Sequence, residues 1–71
     1  MALLVSNLLA LDQSSITTGY AVFKNGVPVV IGHFSAPGND LGQRLVYIRN
    51  KVIELIEEYE INEVVFEDIQ L

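Results

Sequence analysis

Two acidic residues in this sequence stand where an apolar run ends. Asp12 closes the run LLALD, and Glu67 directly follows the run EVVF. A carboxylate extends a strand poorly and is costly to bury without a partner, so each position indicates either a turn cap or a metal ligand. Two close carboxylates repel each other unless they share a proton or hold a cation between them. Their oxygens are hard ligands, which suit Mg²⁺ or Mn²⁺.

A cation at such a place would indicate a particular chemistry. A divalent ion on rigid strand ends, with coordination positions open to substrate, is typical of metal-assisted phosphodiester hydrolysis. Asp12 and Glu67 are therefore the candidate catalytic and metal-binding residues of this chain. Carboxylates at strand ends also serve as plain caps or turn residues, and spacing alone leaves both interpretations open.

The hydrophobic pattern predicts the strands that would position these two residues. Residues 8–12 form an apolar run typical of a buried strand, and Thr17–Lys24 is rich in β-branched and aromatic residues. Within this second strand, Gly19 and Tyr20 are expected to serve strand packing. The Asn-Gly pair that follows is a strong hairpin signal, so residues 27–34 should return as an antiparallel third strand. The proline in that strand cannot donate to a ladder, which predicts a sheet edge.

The rest of the sequence predicts one helix and a fourth strand. The loop 35–40 offers Asn39 or Asp40 as a helix cap. Residues 60–62 should break the helix, and residues 63–71 begin as a buried strand. Apolar residues spaced three and four apart predict that one side of the helix is buried. This apolar stripe consists of Leu41, Leu45, Ile48, Val52, Leu55 and Tyr59.

These elements can be joined into a sheet in few ways. A crossover through a helix is right-handed and returns parallel to a strand of the same sheet. The first strand has the free edge of the meander, so the fourth strand should lie beside it and parallel to it, in the spatial order 3-2-1-4. Neighbouring strands lie about 4.8 Å apart. Asp12 and Glu67 should therefore converge at the carboxyl ends of adjacent strands.

Composition limits the classes of protein that fit this sequence. A chain of 71 residues without cysteine forms at most one small domain, 1–71, with neither disulfides nor a thiolate zinc site. The hydrophobic share of 51% is high for so short a chain, so we expect leftover apolar surface and a homodimer. The net charge of −5 counts against binding to phosphate backbones, unless divalent cations gather at the carboxylates.

The start of the sequence, MALLVSNLLALD, is apolar but lacks the marks of a targeting segment. It has no basic n-region, no cleavage-site pattern and an early carboxylate. We therefore expect neither a signal peptide nor a membrane span. The lack of cysteine fits a reducing compartment, and we expect a cytoplasmic protein.

Three stretches resemble one known family. LALDQSSITTGYAVF resembles the first-strand motif of the RuvC-type Holliday junction resolvases, in which an aspartate precedes a small-residue turn and Thr-Gly-Tyr or a similar triplet. LGQRLVYIRNKVIELIEEY is similar to the first helix of these enzymes. EVVFEDIQL is similar to their fourth strand, which carries a catalytic glutamate. The resemblance covers nearly the whole chain from Leu8 onward, in the same order.

The resemblance implies a ribonuclease H-like fold and a Mg²⁺-dependent or Mn²⁺-dependent endonuclease that cleaves branched DNA in recombination and repair. Asp12 and Glu67 would be two of its metal-binding carboxylates. The family completes its site with acidic residues on a C-terminal helix, so we expect this sequence to be the N-terminal part of a longer protein and inactive alone. Gln13 replaces a common proline, and no aromatic residue follows Glu67, which indicates a divergent, phage-like branch.

The other conspicuous residues have simpler interpretations. Asp68 should point to the sheet face opposite the acidic residue that precedes it, as a solvent-facing group or a neighbour of the metal ligands rather than a ligand itself. His33, the single histidine, is expected to be exposed on the edge strand rather than catalytic. Ser14 and Ser15 lack a nearby base in the motif, which favours a turn over a nucleophile. Arg44 could approach a phosphate from the first helical turn, although a surface salt bridge is the commoner use.

Two alternatives from other functional classes stay open. The actin-like and sugar-kinase ATPases share this sheet topology and use an early Asp-Gly-rich turn against nucleotide phosphates, and DQSSITTG is a loose match to that turn. A non-catalytic interaction domain on the same scaffold is the other. The residues beyond Leu71 would discriminate: acidic residues three or four apart on a helix favour the nuclease, and a second Asp-Gly-rich motif favours the ATPase.

Overall fold

The described residues of the computed structural model are 6–13 and 17–67. Along them the chain forms β1 (Asn7–Gln13), β2 (Thr17–Lys24), β3 (Val27–Ser35), α1 (Leu41–Glu58) and β4 (Glu63–Phe66). The strands make one mixed sheet in the order β3-β2-β1-β4, in which β1 is parallel to β4 and antiparallel to β2. The predicted strand order is confirmed, and the chain is a small α/β unit.

The hairpin between β2 and β3 has the backbone that its sequence predicts. Asn25 and Gly26 have φ values of 51° and 83°, in the left-handed region that these two residue types tolerate best. Two such residues in succession let the turn follow the twist of the strands. β3 lies at the edge of the sheet, as the position of Pro28 predicts, and the pairing of β2 with β3 has an irregularity between Val22 and Phe23.

The helix begins and ends at residues that satisfy its free backbone groups. The Asp40 side chain accepts a hydrogen bond of 3.0 Å from the Gly42 N–H, so Asp40 is the N-cap among the two predicted candidates. At the other end the Tyr59 N–H donates to the Leu55 carbonyl at 3.1 Å, and Glu60 takes a left-handed φ of 51°.

No helix in the described part of the chain is long and apolar enough to cross a membrane.

The core lies between α1 and one face of the sheet. Leu9, Leu11 and Val22 are buried there against Leu55. The half-buried residues packed around them are Tyr20, Val30, Val52, Ile56, Tyr59, Ile61 and Val64. Because side chains alternate along a strand, every second residue of β1 and β2 points to the opposite face, which α1 does not cover. We call that uncovered side the open face.

The predicted apolar stripe of α1 is buried only over its C-terminal half. Leu55 is buried, whereas Leu41 and Leu45 in the first turns are 66% and 53% exposed. The prediction that the whole stripe packs in the core is therefore wrong for the first turns. Periodicity marks the apolar side of a helix, but nothing in the described chain lies over this end of α1 to bury it.

The fourth strand also differs from its prediction as a buried strand. β4 ends at Phe66, which is 67% exposed, and Val65 is 41% exposed. This exposure arises because β4 pairs only with β1 and forms the second edge of the sheet. The predicted continuation over residues 68–71 lies outside the described residues.

A buried asparagine ties the start of β1 to the end of the helix. The side-chain amide of Asn7 donates to the carbonyls of Tyr59 and Glu60 at 3.3 and 3.0 Å. The Asn7 N–H donates to the Asn62 side chain at 3.1 Å, and the Asn62 N–H donates to the Asn7 carbonyl at 3.0 Å.

Desolvation, and then the neighbouring Glu58 carboxylate, raise the pKa of the Tyr59 hydroxyl above its usual value.

Asn7→Ala is expected to lower the free energy of unfolding by about 1–3 kcal/mol, because the two carbonyls then lose their donor in a partly buried place. Urea denaturation followed by circular dichroism measures the change. The matched control is Asn50→Ala on the exposed side of α1, which should shift stability by less than about 0.5 kcal/mol. Equal effects of the two substitutions would show that the Asn7 contacts contribute nothing.

Candidate functional site

The parallel pairing of β1 with β4 sets Asp12 and Glu67 side by side. Leu9 pairs with Val64, and Leu11 pairs with Phe66. The Glu67 N–H then donates to the Leu11 carbonyl at 2.9 Å, which continues the ladder one residue past the end of β4. The next pair along this register is Asp12 with Glu67. Both carboxylates therefore stand at the same level of the sheet, at the carboxyl ends of two hydrogen-bonded strands.

The two carboxylates also share a face. Leu9 and Leu11 point into the core, so Asp12, one residue further on, points to the open face. Directly paired residues of parallel strands point the same way, which places Glu67 on the open face as well. A single hollow of about 240 Å³ is lined by both residues, and both are exposed to solvent. An arrangement of the two carboxylates on opposite faces of the sheet is thereby excluded, and they lie side by side, as the strand order predicts.

The local sequence explains why a carboxylate can stand at each strand end. Leu9 and Leu11 of β1 and Val64 of β4 pack in or against the core under α1, whereas Asp12 and Glu67 lie in solvent. A carboxylate in solvent keeps its hydration, so no desolvation cost opposes these positions. Two like charges on adjacent strands nevertheless repel, and a cation between them would remove that repulsion.

The donor set fits a hard divalent cation in part. Two carboxylates are the ligand type that Mg²⁺ and Mn²⁺ prefer, and Mg²⁺ commonly keeps several waters when few protein ligands are present. The described residues contain no group of three or more His, Cys, Asp or Glu side chains that could hold a metal ion. A cation here would therefore have two ligands from the described chain, Asp12 and Glu67.

The remaining residues singled out from the sequence lie elsewhere or outside the described residues. Asp68, Ser14 and Ser15 belong to the segments that are not described. Arg44 is on α1, on the covered side of the sheet, and half-buried. His33 is exposed on β3 and lies directly across β2 from Asp12, because both residues pair with the same residue of β2.

Sequence reasoning missed the residues that shape the hollow. Its floor on the open face consists of Ala10, Gly19 and Ala21, and Ile31 of β3 stands at its far side, 79% exposed. These four residues occupy alternate positions of three neighbouring strands, so the two-residue period together with the strand order could have identified them. Small floor residues leave open space beside the carboxylates.

The arrangement is thus an exposed pair of carboxylates at the end of two parallel strands, beside a shallow hollow with a small-residue floor. Two carboxylates are the ligand type that hard cations prefer, and the hollow leaves space beside them for another molecule. No protein-family model, curated protein or solved structure matches the chain.

Proposed function

We propose that this chain is the N-terminal part of a metal-dependent endonuclease of the Holliday junction resolvase type, with a ribonuclease H-like fold. Asp12 and Glu67 would bind Mg²⁺ or Mn²⁺ in it. The observation that carries the proposal is the register of β1 and β4, which sets these two residues side by side on the open face. The strand order β3-β2-β1-β4 and the resemblance of three sequence stretches to that family also support it.

The two carboxylates would hold the cation and keep its position fixed relative to the sheet. A bound divalent ion would supply charge stabilisation for a phosphoryl oxygen and an activated water for hydrolysis. Asp12 pairs with Gly19 of β2, and the residue before it, Leu11, pairs with Phe66 of β4, so the Asp12 backbone has little freedom to move. Glu67 is anchored through its own N–H. Rigid support of this kind favours catalysis, because the ligands need no rearrangement when substrate binds.

Two carboxylates are too few for a complete two-metal site. Such sites hold ions about 3.5–4 Å apart, which requires further ligands. We propose that these come from acidic residues on a C-terminal helix of the longer protein, as the resemblance implies. The substrate would be branched DNA, and the bound cations would offset the net charge of −5 that otherwise repels its phosphates.

We also propose that the longer protein forms a homodimer. The open face exposes Ile31 and Val65, and the edge of the sheet exposes Phe66. Apolar side chains at an uncovered sheet face and an unpaired edge strand favour association with another polypeptide surface. A cytoplasmic location would suit an enzyme that acts on DNA during recombination.

Binding of Mn²⁺ to the 71-residue chain tests the site directly. We expect a dissociation constant on the order of millimolar, because only two protein ligands hold the ion. Water-proton relaxation measures the bound fraction of Mn²⁺. Asp12→Asn and Glu67→Gln should each reduce Mn²⁺ binding at least about tenfold, because each keeps the size of the side chain but removes its negative charge.

Glu57→Gln is the matched control, because it removes the same charge from the exposed side of α1. Its binding curve should follow that of the parent chain. An equal loss of Mn²⁺ binding in all three variants would mean that the ion responds only to net charge. Unchanged Mn²⁺ binding by the Asp12→Asn variant would show that Asp12 is not a ligand of the ion.

A further inference from the structure

The described strands contain two glycines, and within the described residues only one of these positions excludes a side chain. Gly32 of β3 lies under the Tyr20 ring, and a Cβ atom at this position would come within 2.5 Å of the Tyr20 hydroxyl oxygen. A side chain at residue 32 would therefore push Tyr20 out of its place beside the core. Packing on the covered face accounts for Gly32.

Gly19 of β2 has no comparable reason among the described residues. The nearest atom to a Cβ at this position would be the Asp12 carbonyl oxygen at 3.7 Å, which is an ordinary contact, and its φ lies outside the left-handed region. Glycine weakens a strand interior, because it loses more conformational freedom on folding than other residues. The described fold would thus accept a larger residue at 19 and gain stability from it.

The position of Gly19 shows what a larger residue would block. Gly19 pairs with Asp12 on β1 and with His33 on β3, so these residues form one row across the open face. Glu67 extends the row on the other side of Asp12. Any side chain at position 19 would rise between the carboxylates and His33, directly into the hollow. Gly19 therefore keeps open the space next to the carboxylates.

We propose that Gly19 is a specificity-determining residue, whose missing side chain leaves room for one sugar–phosphate unit of a nucleic-acid strand beside the carboxylate pair. This inference rests on the proposed function. The hollow of about 240 Å³ is smaller than the 300–1,000 Å³ of typical ligand pockets, so it suits a single unit rather than a whole nucleoside triphosphate.

The lining of the hollow matches the parts of such a unit. Asp12 and Glu67, at one end, would hold the cation that a phosphate requires in order to approach two carboxylates. Ala21 and Ile31 supply an apolar floor and wall on which the carbon face of a sugar can pack. His33 is exposed and lies outside the lining of the hollow, at the far end of the row, where its imidazole can donate a hydrogen bond to the next phosphate along the strand.

The test uses the 71-residue chain, Mg²⁺ and thymidine 5′-monophosphate as the probe, followed through backbone amide shifts in NMR spectra. The parent chain should bind the nucleotide weakly, with shifts at Asp12, Gly19 and Ala21 that require Mg²⁺. Gly19→Val should weaken nucleotide binding about tenfold or more by filling the hollow. Its Mn²⁺ binding should equal that of the parent, because both carboxylates remain.

Gly42→Ala, in the exposed first turn of α1, adds a methyl group away from the hollow and should leave both kinds of binding unchanged. Gly19→Ala adds the smallest side chain at the tested position and should weaken nucleotide binding less than valine does. If the Gly19→Val variant does not fold, the Gly19→Ala variant replaces it in the test. Nucleotide binding at parental strength in a folded Gly19 variant, or no Mg²⁺-dependent binding to the parent, would overturn this inference. Failure of the parent to bind Mn²⁺ would instead overturn the proposed function.

Discussion

Asp12→Asn and Glu67→Gln, introduced into the longer protein that we propose, are each expected to reduce cleavage of a four-way DNA junction about 10³-fold. Each substitution keeps the size of the side chain but removes a charge that holds the cation. A metal ion contributes several kcal/mol to the stabilisation of the transition state, and each 1.36 kcal/mol corresponds to a tenfold change in rate. Single-turnover cleavage with Mg²⁺ or Mn²⁺ measures the effect.

Two comparisons make this result specific to the site. Glu57→Gln removes a carboxylate from the exposed side of α1 and should cleave at the parental rate. The isolated 71-residue chain should not cleave duplex or branched DNA, because it supplies two ligands of a site that needs more. Cleavage by Asp12→Asn at the parental rate would refute the catalytic assignment, and cleavage by the isolated chain would mean that the site is elsewhere.

Leu9→Ala is expected to have the largest effect on stability. Leu9 is fully buried at the centre of the core, and Leu-to-Ala substitutions at such positions cost about 2–5 kcal/mol. A domain of this length has a total stability of roughly 4–11 kcal/mol, so the variant should lose at least about 10 °C in melting temperature or fail to fold. Thermal denaturation followed by circular dichroism measures the change.

The matched control for this substitution is the preceding residue. Leu8 is the same residue type on the same strand, but it is half-buried and points to the open face. Leu8→Ala should therefore cost much less than Leu9→Ala, because fewer packing contacts are lost and no cavity forms. A core on the open face instead would reverse the order of the two melting temperatures.

Much of the fold could be predicted because its signals are local. Asn25 and Gly26 adopt the left-handed backbone that a two-residue hairpin needs, and Asp40 caps α1 through its side chain. The order β3-β2-β1-β4 followed from the right-handed crossover rule, which leaves few ways to place a strand after a helix. These features depend on residues close together in the chain or on general rules of chirality.

The meeting of Asp12 with Glu67 combines a sequence signal with a tertiary one. The ends of two apolar runs identified both residues as candidates. Whether they meet depends on the register of β1 against β4, and a shift of one residue would have moved Glu67 to the covered face. The hydrogen bond from the Glu67 N–H to the Leu11 carbonyl belongs to that register, and no pattern within either strand encodes it.

Other features were decided by the tertiary structure alone. The stripe of α1 and the apolar residues of β4 indicated burial, yet Leu45 and Phe66 are exposed. The sequence predicted that Gly19 serves strand packing, but it is Gly32 that lies under the Tyr20 ring. A periodic pattern shows which side of an element can be buried. Whether it is buried depends on another element lying over it, and that follows from the arrangement of the whole chain.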